Sequence, residues 1–468
     1  MVLAAAGLVL TVLLAHRLAD DAWVRRIVIA AYVVKAAAAV ALFFVSLWGL
    51  PILTGAQTGN GFWSFARDAA EYHRLALGVT DAWQTDGGVP PMGFEKPTVL
   101  YVAVVYRLFG EVPLNVGILN AWYGTLTALG AVWVAQRYGA RALSVRATAL
   151  LVGLWPSGVL WSTQVLKESI TTAMMAGLVV FMAVATRTRR PQTAFIAVLS
   201  VAALVFLLWF SRYYAASAFV AALFTVVVPW AITQFFRGEG RRAGIAIGAC
   251  LFVLAGLGLA AGVPMSERPE SAGWSDFADA TRHEEVTREP SESSRVSEAR
   301  DTVSARVRTL PSFLGVLRDG GMAEPGRSVL DPDVTIASWG ELLRYLPRGL
   351  AVEFLAPFPW QWFLPDAPAS YLLAGFENVI IYALLPCVAV AAYRLFRRYD
   401  PVLTTAGLTI AMLAAGYAIV ISSVGTLFRL RFQLIVLALV MMGSVDAFAV
   451  VYGRVFRARP RSTQVPAC

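Results

Sequence analysis

Asp68 stands in the run Phe65-Ala66-Arg67-Asp68-Ala69-Ala70-Glu71-Tyr72-His73, in the first polar stretch after a long apolar segment. A carboxylate fixed there can act as a general base, taking the proton of an attacking hydroxyl. A helix cap or a solvated loop acid would fit the position too. In a helix Glu71, three residues on, shares a face with Asp68. Two carboxylates so placed could hold a divalent metal or drive each other's pKa apart. His73 falls off that face and reads as a polar surface residue.

Lys96, in Phe94-Glu95-Lys96-Pro97, is the second anchor. An ammonium is a compact phosphate binder, though a lysine here could also snorkel to headgroups. The chain prefers arginine so strongly, with only Lys35, Lys96 and Lys167 among 39 basic residues, that a retained lysine suggests a task. Lys167 and Glu168 form a third cluster, in Trp161-Ser162-Thr163-Gln164-Val165-Leu166-Lys167-Glu168-Ser169. Lys167 would help hold a phosphate and Glu168 an acceptor; a plain tight loop fits the same residues equally well. Arg429 and Arg431, in Gly425-Thr426-Leu427-Phe428-Arg429-Leu430-Arg431-Phe432, offer guanidinium forks for a phosphate or pyrophosphate. Arg212, beside Tyr213 and Tyr214, is a weaker case of the same kind. Acidic and basic groups set together at a membrane surface suit a substrate held by a lipid anchor.

The elements that must position these residues are apolar helices. Hydrophobic residues make up 58% of the 468, and charged residues 15%, against about 25% in a soluble protein. Mean hydropathy is +0.64. Apolar runs near 20 residues long recur, as crossing a bilayer requires. They fall at 2–15, 27–53, 114–135, 143–161, 168–186, 193–210, 213–235, 243–263, 370–393, 402–423 and 432–453. This predicts an all-α polytopic membrane protein with about 11 transmembrane helices. A β-barrel would show short alternating segments instead. The first run, 2–15, is read as a short helix and not a leader, since no basic residues precede it.

The linkers alternate in charge. Arg17, Arg25 and Arg26 mark one junction; Arg137, Arg141 and Arg146 another; Arg187, Arg189 and Arg190 a third. Arg237, Arg241 and Arg242 follow, then Arg394, Arg397 and Arg398, then the tail with Arg454, Arg457, Arg459 and Arg461. The positive-inside rule puts these ends in the cytoplasm, the C-terminus with them and the N-terminus outside. Loops 54–113 and 264–369 then face outward. The apolar stretches 98–109 and 346–363 become interfacial or re-entrant helices on the outer face. Three regions result: a transmembrane module 1–263 with the first outer loop, a large outer loop 264–369 with a polar, flexible 266–308, and a C-terminal module 370–468. Arg429 and Arg431 lie on the side poor in basic residues, and that anomaly points to function.

The net charge of +9 is accounted for by topology, so a nucleic-acid partner is not expected. Cys250, Cys387 and Cys468 show no zinc or disulfide spacing. Lys35 is read as the one charge clearly inside a span, which tells against a lipid or sugar transporter.

The order of these pieces resembles the GT-C superfamily of integral-membrane glycosyltransferases, near the protein O-mannosyltransferase and lipid A aminoarabinose transferase type. Asp68 and Tyr72 match an acidic motif with a tyrosine four residues on. Glu95-Lys96-Pro97 leads an apolar helix ending at Phe109-Gly110; Asn120, Pro156 and an arginine at 429 or 431 follow in order. The resemblance covers roughly residues 27–190 and thins beyond. It implies a polyprenyl-phosphate-linked sugar donor, Asp68 as catalytic base and Lys96 on the donor phosphate. The acceptor would be an envelope glycan, glycolipid or protein, at the outer face of a bacterial inner membrane. No second acid directly follows Asp68, so donor and acceptor stay open. A polymerase or ligase of lipid-linked oligosaccharides, or a transporter, remains an alternative.

Overall fold

The computed structural model describes residues 2–85, 87, 96–240, 244, 247–248, 250–254, 310–319, 329–363 and 369–453, with the backbone alone for Lys96 and 369–373. Glu95, the segment 266–308 and the tail arginines from Arg454 lie outside the described residues, as does most of the expected span 243–263.

Fourteen helices are named here. They are α1 (Val2–Leu18), α2 (Ala22–Leu47), α3 (Arg67–Thr85), α4 (Lys96–Phe109), α5 (Pro113–Arg137), α6 (Ala142–Gly153) and α7 (Pro156–Trp161). After these come α8 (Glu168–Arg187), α9 (Pro191–Phe236), α10 (Trp339–Leu355), α11 (Ala369–Arg397), α12 (Pro401–Val420), α13 (Val424–Ser444) and α14 (Ala447–Val451). A two-stranded antiparallel ribbon, β1 (Gln57–Gly59) and β2 (Phe62–Trp63), lies between α2 and α3. Among the described residues, seven helices are long and apolar enough to cross a bilayer: α2, α5, α8, α9, α11, α12 and α13. The chain is an all-α polytopic membrane protein.

The spans differ in extent from the sequence reading. Run 143–161 is two short helices, because Pro156 cannot continue the ladder of α6. The last span begins at Val424, not near 432, so both candidate arginines sit within a helix and not in a loop before it. Runs 193–210 and 213–235 are the two arms of α9. The backbone between them leaves helical geometry at Arg212 (φ −153°, ψ 79°). Val198 of the first arm and Val227 and Trp230 of the second line one cavity of about 710 Å3 with the C-terminal end of α8. In a straight helix Val198 and Val227 would stand about 44 Å apart. The arms therefore run back along one another.

α5 is the central element, touching α1, α2, α6, α8 and α13. Membrane helices associate through close packing, which small residues permit. At Gly117 an added Cβ would come 3.0 Å from the carbonyl oxygen of Thr163, and at Gly124 3.0 Å from Lys35 Cε. Gly124 thus makes room for Lys35, whose ammonium donates to the carbonyl of Gly153 at the end of α6. That carbonyl has no helical partner, and its bond accounts for the lysine inside α2.

The arginine-rich junctions meet at one end of the bundle. Arg146 pairs with Asp21, Arg141 with Asp446, Arg187 with Asp400, and Arg394 donates to the carbonyl of Val445. Asp68 lies at the other end. There α3 and α4 pack together, and α3 buries Ala69, Tyr72, Leu75, Ala76 and Val79 along one face.

Candidate active site

Four elements distant in sequence deliver charged side chains to one place. Asp68 comes from the first turn of α3, Lys167 and Glu168 from the start of α8, Arg212 from the break in α9, and Arg429 from the second turn of α13. Arg429 Nη1 donates to Asp68 Oδ2 at 2.6 Å, and Arg429 Nε lies 3.1 Å from Glu168 Oε1. The same Glu168 oxygen accepts from Arg212 Nη2 at 2.5 Å. Arg212 also donates to the hydroxyl of Tyr214. The depth is graded: the side chains of Glu168 and Arg212 are 1% and 5% exposed, Arg429 21% and Asp68 42%. Glu168 clamps two guanidiniums from below, while Asp68 touches the shallower one from the accessible side.

Lys167 makes no ion pair among the described residues. Among the described side chains, three cations (Lys167, Arg212, Arg429) thus gather with two carboxylates (Asp68, Glu168), an excess of one positive charge. Burial, followed by the nearby Arg212, pulls the Lys167 ammonium down to about 8. It carries its charge below about pH 8 and loses it above. If it holds a phosphate, affinity for a phosphate ligand should fall as pH rises through about 8. K167R should flatten that fall, because a guanidinium does not titrate there. Binding measured between pH 6.5 and 9.5 checks this; equal slopes for the two proteins would remove Lys167 from the phosphate.

Burial alone would raise the Asp68 carboxyl. The Arg429 guanidinium outweighs it, helped by Lys167 and Arg212, and holds the group below the usual carboxylate range. Tyr72, one turn after Asp68, is buried, and its phenol is pushed up by burial and by the charges of Asp68 and Glu168. It stays a protonated donor beside two anions. Aromatic rings flank the cluster: Trp63 stacks on Phe65, Phe65 meets Trp161 edge-on, and Trp161 meets Phe428.

Asn120 of α5 fixes the loop that carries Lys167 and Glu168. Its amide donates to the carbonyls of Gln164 (2.8 Å) and Leu166 (2.9 Å). Both bonds are buried, and they satisfy loop oxygens that would otherwise be orphaned.

Not every expected residue arrives here. Glu71 turns outward and pairs with Arg74 (2.5 and 2.9 Å), its side chain 52% exposed. It does not meet Asp68, because α3 aims Asp68 toward Arg429 and leaves Glu71 on the open face. Among the described residues no group of three His, Cys, Asp or Glu is placed to hold a metal ion. His73 bonds the Tyr106 hydroxyl at 2.6 Å and ties α3 to α4. Lys96 opens α4, with its side chain outside the described residues.

Arg431 is fully buried on another face of α13. It donates to the carbonyls of Ala356 (2.8 Å) and Phe354 (3.4 Å) at the C-terminal end of α10, and its Nη2 lies 3.7 Å from Glu377. Asn378 holds the carbonyls of Leu355 and Pro357 beside it. A cation at a helix C-terminus is favourable, and Arg431 acts there. Glu353 is buried in the same place. Sequence reasoning missed this cluster. The reading that Lys35 alone is charged inside a span is corrected by Glu377, whose place in the run 370–393 was the available signal.

No family model matches the chain, and no curated protein matches it. Two solved structures are similar. The crystal structure of ArnT from Cupriavidus metallidurans bound to undecaprenyl phosphate covers 88% of this chain and 77% of its own at 15% identity, with a TM-score of 0.35. The apo state of the same protein covers 80% and 72% at 14% identity, with a TM-score of 0.34. The likeness is distant, and it assigns neither a reaction nor a substrate to this chain.

Proposed function

We propose that this protein is a GT-C membrane glycosyltransferase that moves a sugar from a polyprenyl-phosphate carrier to an acceptor hydroxyl at the outer face of a bacterial inner membrane. The N-terminus would lie outside and the C-terminus in the cytoplasm. The observation that carries the reading is one carboxylate, Asp68, meeting an excess of cations at the bundle end away from the arginine-rich junctions.

Asp68 takes the proton of the acceptor hydroxyl as its oxygen bonds to the anomeric carbon. The bond from that carbon to the donor phosphate oxygen breaks, and the lipid phosphate leaves with the electron pair. Arg429 and Lys167, with Lys96 at the start of α4, neutralise the charge that grows on the leaving group. Arg212 and Glu168 hold Arg429 in place. Tyr72 orients the groups beside Asp68. The acceptor is an envelope glycan, glycolipid or protein.

The cation excess alone would serve a lipid-linked oligosaccharide ligase as well. Mass analysis of envelope glycans from cells with and without the chain tests the reading. Loss of one glycosyl addition is expected. Loss of a whole polymer would favour the ligase. Unchanged glycans with altered lipid uptake in proteoliposomes would favour a transporter.

A further inference from the structure

The geometry points to a self-blocked site: the Asp68–Arg429 ion pair occupies the phosphate position until the donor displaces it, so donor binding is what frees the base. This rests on the reading above that a lipid phosphate binds here, and it adds the order of events.

Three observations carry it. First, Asp68 and Arg429 bond each other directly at 2.6 Å. A base so held cannot accept a proton readily, since its lone pair and its charge are both engaged. Second, the two partners of Arg429 are unequal. Glu168 is almost fully buried and also held by Arg212, whereas Asp68 is 42% exposed and, among the described residues, pairs with Arg429. An incoming anion competes with the partner it can reach, which is Asp68. Third, Lys167 directly precedes Glu168 and makes no ion pair among the described residues, so a phosphate bridging Lys167 and Arg429 replaces one carboxylate with a better-matched anion. Once Arg429 turns to the phosphate, the strongest influence holding Asp68 low is shared with the ligand. The carboxylate is then released beside the anomeric carbon that the same phosphate carries. An acceptor arriving before the donor meets an engaged base, and the site does not pass protons idly to water.

The test is a double-mutant cycle on binding of undecaprenyl phosphate to detergent-solubilised protein. D68N removes the competing carboxylate and should tighten binding by about three- to tenfold. In an R429Q background the D68N effect should shrink toward none, because the displaced partner is already gone. A D68N that tightens equally in both backgrounds reports plain repulsion and overturns the proposal, as does a D68N that binds no better than wild type. A second measurement needs no variant: carbodiimide labelling of Asp68 in the wild-type protein should rise when undecaprenyl phosphate is added. A fall, or no change, overturns the proposal. Wild-type protein that binds no undecaprenyl phosphate would overturn the donor reading itself, which separates the two failures.

Discussion

Replacing Asp68 with Asn should lower sugar transfer by about a hundred- to ten-thousandfold, the usual contribution of a positioned general base. The amide keeps the size and one oxygen for Arg429, but it cannot take the acceptor's proton. Folding should survive. Asp68 is 42% exposed, and Arg429 keeps Glu168 at 3.1 Å, so the lost ion pair is worth no more than about 1 kcal/mol. Transfer of a mass-detected sugar in membranes, read beside a thermal melt in detergent, separates the two effects. Turnover near that of wild type would remove the base from the mechanism and leave a phosphate site without it. The ligase reading would then be the stronger one.

The second large effect is on stability. Glu168 is the common partner of Arg212 and Arg429, and its side chain is 1% exposed. E168Q keeps the shape and removes the charge, leaving two guanidiniums in a poorly solvated place, Arg429 with Asp68 and Arg212 with the Tyr214 hydroxyl. Breaking one partner out of a buried pair costs about 3–5 kcal/mol. Purified E168Q should therefore melt well below wild type or fail to accumulate. A melt within about 1 kcal/mol of wild type would show that Glu168 does not hold the two arginines together.

Much of this was legible in the sequence, for identifiable reasons. The alternation of arginine-rich and arginine-poor junctions marks the two ends, because loop charge follows topology. Contacts such as Arg146–Asp21 and Arg141–Asp446 join those junctions at one end. Asp68, Lys167, Glu168, Arg212 and Arg429 were legible as charges out of keeping with apolar surroundings, where an ionisable group is costly to keep. The pairing among them was not legible, since it depends on how α9 bends and where α13 starts. Arg429 and Arg431 illustrate the limit. Read as a loop, they form one fork. Once the helix begins at Val424 they are two residues apart on it, about 200° around its axis. One then reaches Asp68 and the other closes the end of α10. Glu71 failed for a related reason: three residues' spacing allows a shared face but does not say which face is turned inward.

The break at Arg212 also governs how the chain can be made. Pro191 to Phe236 is 46 residues without a polar loop, about 69 Å if laid out as one rod, more than twice the roughly 30 Å of a bilayer's hydrocarbon. Only by turning back midway does this stretch cross twice. Were it to cross once, every later segment would emerge on the opposite side, and the arginine that must meet α3 would be delivered to the wrong compartment. The residue at which the chain turns is thus also the one whose guanidinium holds Glu168, so the change of direction and the charge cluster share a single position.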